Sequence, residues 1–330
     1  MKLIKRHRPS AAPNLFEQLM SLSALKGTRT RLKNSTALNS KNSWYEFLCR
    51  LVDKILDNDT AERASSVAFN LMLAVFPTFI FLFTLIPYMP SINEQEIMDF
   101  FAEVLPGGTF DTVGATIQDI ISRPRSGVLS FGFLLALYSA TSGMVALMNA
   151  FNSSHEIDEE RTFLSKRLVA VGLTITLALA LFLAITLLVV GGVIIEYLAQ
   201  YGFFSNEIVY FVLKIARYLL VFAVFVGVLL IIYRYGPDVH MKWAFITPGS
   251  VTASVLIVLT TLGFSYYVSN FGSYNKVYGS IGTLIALMIW INLVSLLLII
   301  GFEINVCLYD LEGDRNPSVT QKTTNATSNS

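Results

Sequence analysis

Glu303 stands inside a long apolar run, Ile281 to Cys307. A carboxylate at such a depth is costly, and the cheap remedies are a proton or an opposing cation. Arg63 precedes the first apolar run and Arg234 closes the fourth, so both fall at the same level along the chain's crossings as Glu303. A pairing of Glu303 with Arg63 or Arg234 is expected, either as a fastening between helices or as a gate or proton-coupling site. Asn70, Asn149, Asn292 and Asn305 are the amides within or beside apolar runs, where interhelical hydrogen bonds are the simplest use for them. The most unusual local composition is Tyr266 to Tyr278, which also holds Tyr267, Asn270, Phe271, Ser273, Tyr274, Asn275 and Lys276. An aromatic belt at the membrane boundary explains it. The alternative is a re-entrant segment lining a substrate cavity, with Tyr274, Asn275 and Tyr278 as its site residues.

Enzymatic constellations are missing from the sequence. The histidines are His7, His155 and His240, and none is spaced with a second ligand as in a zinc site. There is no Walker loop, nucleophile elbow or dinucleotide fingerprint. His155 lies among Glu156, Asp158, Glu159 and Glu160, a charged loop that reads as solvated rather than as a cation chelate. No cofactor is expected. The basic amino-terminal arm has little aromatic interleaving for base stacking, so it reads as a topology determinant attracted to anionic lipid rather than to nucleic acid.

The elements that must position these groups follow from composition. The chain is 54% hydrophobic and only 14% charged, against about 25% charged in an ordinary soluble domain. Six apolar segments are each long enough to cross a hydrocarbon core of about 30 Å: Ala68–Ile86, Val128–Met148, Leu168–Ile195, Ile208–Ile232, Ala244–Val268 and Ile281–Cys307. Lys214 and Arg217 weaken the fourth, and their long side chains are expected to snorkel toward one interface. Pro77 should kink the first span, whereas Pro248 lies in the first turn of the fifth, where it does little harm. Ahead of the spans, Trp44, Phe47, Leu48, Leu51, Val52, Ile55 and Leu56 recur at helical spacing. They predict an amphipathic helix over 44–57, lying in the membrane interface or packed on the protein's own loops.

The fold class is therefore all-α, a polytopic membrane protein. Residues 1–43 form a flexible basic arm and 311–330 a disordered tail, around a transmembrane domain of residues 44–310. Residues 1–67 hold 12 of the 24 Lys and Arg, and Arg161, Lys166, Arg167, Arg234 and Lys242 cluster in loops on the same side. The positive-inside rule then places both termini in the cytoplasm. The long loop on the other side predicts a helical hairpin over 91–122, opened by a Ser91–Glu94 capping box and turned at Pro106-Gly107-Gly108. Ser139-Ala-Thr-Ser-Gly143 supplies small residues for close helix contact on the second span. Cys49 and Cys307 read as reduced packing residues.

The run Glu62-Arg-Ala-Ser-Ser-Val-Ala-Phe-Asn-Leu-Met-Leu-Ala-Val-Phe-Pro77 resembles the first-span signature of the YihY/BrkB family of bacterial inner-membrane proteins. Tyr233-Arg-Tyr-Gly-Pro-Asp238 is similar in the same way, and so is the block Tyr278-Gly-Ser-Ile-Gly282, Trp290, Gly301-Phe-Glu-Ile-Asn305. The likeness runs over roughly residues 45–310. It implies a six-helix protein of the cytoplasmic membrane connected with envelope and lipid handling. The family has also carried a ribonuclease BN label, which the absence of histidine–aspartate clusters does not support. Two functions are expected from this reading. One is a transporter or flippase-like protein for lipid or an amphipathic solute, with membrane lipid as partner. The other is a non-transporting scaffold docking envelope proteins or a second copy of itself.

Overall fold

The computed structural model describes residues 30–31, 43–56, 58–88, 95, 97–99, 114–115, 117–119, 126–154, 159–201, 207–238, 247–270 and 280–313. The proposed hairpin over 91–122, the basic arm and Tyr274, Asn275 and Tyr278 lie wholly or mostly outside these residues. Seven long helices follow one another among the described residues: α1 Trp44–Leu56, α2 Asn58–Leu85, α3 Ser126–Ser154, α4 Phe163–Gln200, α5 Glu207–Tyr235, α6 Pro248–Asn270 and α7 Ser280–Gly313. Among the described residues, six stretches are long and apolar enough to cross a membrane, one in each of α2 to α7. α7 continues three residues beyond the expected end of the transmembrane domain.

Local chemistry starts the helices where they start. Ser43 caps α1, its hydroxyl accepting from the Glu46 amide at 3.3 Å. Thr162 does the same for α4 from Ser165 at 3.4 Å, and Thr247 for α6 from Ser250 at 3.3 Å. Each satisfies an amide that the first helical turn leaves without a partner. Pro248 is the first residue of α6, where its missing N–H costs nothing. α2 runs unbroken through Pro77 to Leu85.

Packing gathers at one end of the helices. Ala64 and Val67 of α2, Met148 and Phe151 of α3, Ala170 and Leu173 of α4, Ile232 and Tyr233 of α5, Ala253 of α6 and Phe302 and Val306 of α7 form one buried core. These residues lie near the start of α2, α4 and α6 and near the end of α3, α5 and α7. The six helices therefore alternate in direction, and α1 shares an end with the last turns of α7. Beyond this core the surface is apolar: Phe182 of α4 and Leu219 of α5 are 71% and 62% exposed, as suits side chains that face lipid.

Small residues set the closest approaches. A Cβ added at Gly143 would fall 2.5 Å from Leu71 of α2, the contact that the small-residue run of α3 permits. α1 is not simply a helix on the interface. Phe47 is buried with Ile304 and Cys307 of α7, and Trp44, Leu48 and Leu51 pack around them. Much of its apolar face is thus satisfied by the final span itself.

Candidate functional site

Glu303 is 1% exposed and lies where α1, α2, α3 and α7 meet. Arg63 of α2 places its Nη1 3.5 Å from Glu303 Oε1, and Lys54 of α1 places its Nζ 3.1 Å from Oε2. The second approach is an ion contact without hydrogen-bond geometry, since Oε2 has no hydrogen-bond partner. Both cations are anchored elsewhere. Arg63 donates to the Ser154 hydroxyl at 2.6 Å, to the Ala150 carbonyl at 3.3 Å and to the Thr60 hydroxyl at 3.1 Å. Lys54 donates to the Ser154 carbonyl at 3.2 Å. Thr60, fully buried, closes the ring by donating to the Lys54 carbonyl at 2.8 Å. One buried carboxylate thus ties two cations and the ends of four helices into a single junction.

Arg234 takes no part in it. The preceding residue, Tyr233, points inward and donates to the Leu298 carbonyl of α7 at 2.9 Å. Successive helical positions lie about 100° apart, so Arg234 is turned to the exposed side, its guanidinium over the Tyr235 ring. The helical spacing of the apolar residues of α1 leaves Lys54 on the opposite, polar face, with nothing to mark it as a partner of Glu303. The residues that complete the junction, Thr60 and Ser154, carry no sequence signal of their own.

The amides have separate uses. Asn305 accepts from the Gly249 amide at 2.8 Å and donates to Thr247 at 3.0 Å, so one side chain of α7 caps the buried start of α6. Asn292 donates to Ser65 of α2 at 3.1 Å. Asn70 donates within α2 to the Ser66 carbonyl. Asn149 accepts from Lys166 of α4 at 2.5 Å. Asn149, Asn292 and Asn305 therefore bond between helices, and Asn70 does not.

Two motifs of the sequence acquire a physical reason here. In Gly301-Phe-Glu-Ile-Asn305, Gly301 lets α6 approach, Phe302 stacks on Phe151 at 4.4 Å, Glu303 holds the cations and Asn305 caps α6. The second is the Tyr233 to Asp238 stretch. Asp238 pairs with Arg161 at 3.1 Å and accepts from the Glu160 amide at 2.8 Å, while its own amide donates to Asn152. Arg161 also donates to the carbonyls of Gly236 and Pro237. Glu159, expected in a solvated loop, is instead bonded by Asn152 at 2.7 Å and paired with Lys166 at 3.0 Å. Among the described residues, no three His, Cys, Asp or Glu side chains gather as a metal site.

The family model described as virulence factor BrkB matches residues 51–324. A ribonuclease-like protein, YfkH of Bacillus subtilis (strain 168), is 30% identical over 273 residues, 82% of this chain and 98% of that protein. A UPF0761 membrane protein of Xanthomonas campestris pv. campestris (strain B100) is 28% identical over 267 residues, 78% of this chain but only 59% of that protein. One of Tolumonas auensis is 22% identical over 256 residues, 76% of this chain and 82% of that protein. This chain thus spans less than two thirds of the length of the Xanthomonas relative. No solved structure matches it.

Proposed function

The chain belongs to the virulence factor BrkB family, and we propose that it is a transporter or flippase-like protein, moving lipid or an amphipathic solute across the bacterial cytoplasmic membrane with both termini in the cytoplasm. The observation that carries this reading is the buried junction of Glu303, Lys54 and Arg63. If these helices only needed fastening, apolar side chains would serve as well. Desolvating charges offsets much of what their attraction contributes, and apolar replacements of buried ion pairs are often neutral or stabilising. A charged junction among four helix ends suits a contact that opens and re-forms. The chain's cations support the orientation. Lys54, Arg63, Arg161, Lys166, Arg167 and Arg234 all lie at the end of the helices that holds Glu303.

The ribonuclease-like name of the Bacillus relative does not enter this reading, since no described constellation here suits phosphodiester cleavage. The test uses purified protein in phospholipid vesicles carrying a fluorescent lipid in both leaflets. A membrane-impermeant quencher then reports lipid movement between leaflets. Wild type should render the inner-leaflet probe accessible, and Glu303→Gln at matched incorporation should abolish this. Asp238→Asn, which alters a polar junction away from Glu303, should retain it. Wild-type vesicles no faster than protein-free ones would defeat the reading for lipid and favour a scaffold.

A further inference from the structure

Lys214 and Arg217 interrupt the apolar sequence of α5, and α4 faces them with Gly191-Gly192. The glycines make room for the arginine. A Cβ at Gly191 would sit 3.4 Å from Arg217 Cδ, and one at Gly192 would collide with Nη1. Nη1 donates to the Leu188 carbonyl at 3.3 Å and Nη2 to the Tyr218 hydroxyl at 3.3 Å. The Nε–H is buried and has no acceptor. Lys214, one turn away, lies with its Nζ 5.8 Å from the Tyr210 ring centroid. Among the described residues, neither cation has a carboxylate within ion-pair distance. The surrounding surface is lipid-facing, with Val189, Val193 and Phe211 each about 60% exposed.

Position along the helices supplies the second half of the argument. Arg217 is about 26 Å from Arg234 along α5, and Gly192 is about 37 Å from Arg167 along α4, at 1.5 Å per residue. A hydrocarbon core is about 30 Å thick. Two cations without a carboxylate partner among the described residues therefore lie near the boundary opposite the basic end, at the level of lipid phosphates. Cations at that level snorkel to the interface, where an anionic headgroup is the partner at hand.

We propose that the α4–α5 seam at Arg217 and Lys214 binds the phosphate of an anionic membrane lipid in the leaflet opposite the Glu303 junction. Arg217 is held in place by α4 and presents its guanidinium to the phosphate. Lys214 adds the second charge on a flexible stem. From there the acyl chains run toward the basic end, along Ile185 and Val189 of α4 and Leu220 of α5, which are 60%, 60% and 51% exposed. This site is independent of the transport reading, since a lipid held there also serves a protein that moves nothing.

The experiment is native mass spectrometry of the detergent-purified protein, titrated with phosphatidylglycerol or phosphatidylcholine. Wild type should prefer phosphatidylglycerol. Arg217→Gln should weaken its binding about fivefold to tenfold, and Lys214→Gln with Arg217→Gln should remove the preference, as expected for about one cation's attraction each. Arg217→Lys should fall between, and Arg234→Gln at the other end should match wild type. Melting in lipid-free detergent should be unchanged in Arg217→Gln, while stabilisation by added phosphatidylglycerol should shrink. Equal binding of the two lipids by wild type would overturn the proposal. So would undiminished phosphatidylglycerol binding by the double variant, displacement of the lipid by inorganic phosphate, or loss of a dimer rather than of lipid. Any of these leaves the vesicle assay of the transport reading intact.

Discussion

A carboxylate between two cations is not symmetric in what its deletions cost. Glu303→Gln leaves Lys54 and Arg63 close together with no anion, in a site where solvent screens them poorly. The expected loss is about 3 kcal/mol, the low end for breaking a buried pair, because both cations keep some exposure. Lys54→Met leaves Arg63 to serve the carboxylate and should cost about 1 kcal/mol, the scale of a net polar contact. The double variant should cost less than the sum, because Lys54→Met also relieves the repulsion that Glu303→Gln creates. Unfolding in mild detergent, monitored by intrinsic fluorescence, checks the order; a Lys54→Met loss equal to that of Glu303→Gln would contradict it. Asn305→Ala belongs to the same scale. It strips the Gly249 amide and the Thr247 hydroxyl of a partner in a buried place, and should cost about 1–2 kcal/mol. The Arg63 contact was legible in the sequence because depth along a span can be counted in residues. Which way Arg234 turns was not legible, since that depends on Tyr233 having taken the inward position.

Between elements, the α6–α7 contact is the most demanding sterically. A Cβ at Gly301 would lie 2.5 Å from the Tyr233 hydroxyl, 2.5 Å from the Ala253 Cβ and 2.9 Å from the Gly249 carbonyl. Two of those neighbours are backbone or a short side chain, so the helices must separate. Gly301→Ala should cost about 1–3 kcal/mol by overpacking, and it should disturb the Tyr233 bond to Leu298. Gly263→Ala, where a Cβ would meet nothing within 4 Å, should be neutral or slightly stabilising. Melting temperatures of the two variants side by side test the contrast. Helices of this length were legible because twenty apolar residues in a row have few other uses. The caps at Thr162 and Thr247, which start α4 at Phe163 and α6 at Pro248, were not found from apolar runs that begin at Leu168 and Ala244. The packing of α1 on α7 was not legible, since an amphipathic face states that it is covered without saying by what. Nor was the Arg161–Asp238 pair, which joins two loops 77 residues apart.

At the scale of the whole molecule, alternation of the six helices fixes which loops share a side. Arg63 near the start of α2 touches both Ser154 at the end of α3 and Glu303 near the end of α7. The ends of α3 and α5 therefore share the side of α1 and of the end of α7. The ends of α2, α4 and α6 lie on the other. The proposed orientation puts the first side in the cytoplasm, in keeping with the positive-inside rule, because Lys166, Arg167 and Arg234 stand there at the helix ends. Single cysteines introduced for Asp158 and Val239 should then react with a membrane-impermeant maleimide only after the inner membrane is opened. Cysteines introduced for Thr109, Asn206 and Ser273 should react in intact spheroplasts. The native thiols make a quiet background, since Cys49 and Cys307 are only 7% and 1% exposed. Ser273 decides most, because it follows α6 and depends on every earlier crossing. Protection of Ser273 together with labelling of Asp158 in intact spheroplasts would reverse the orientation while keeping the fold. Protection of Ser273 with labelling of Asn206 would place the two on opposite sides and break the alternation itself.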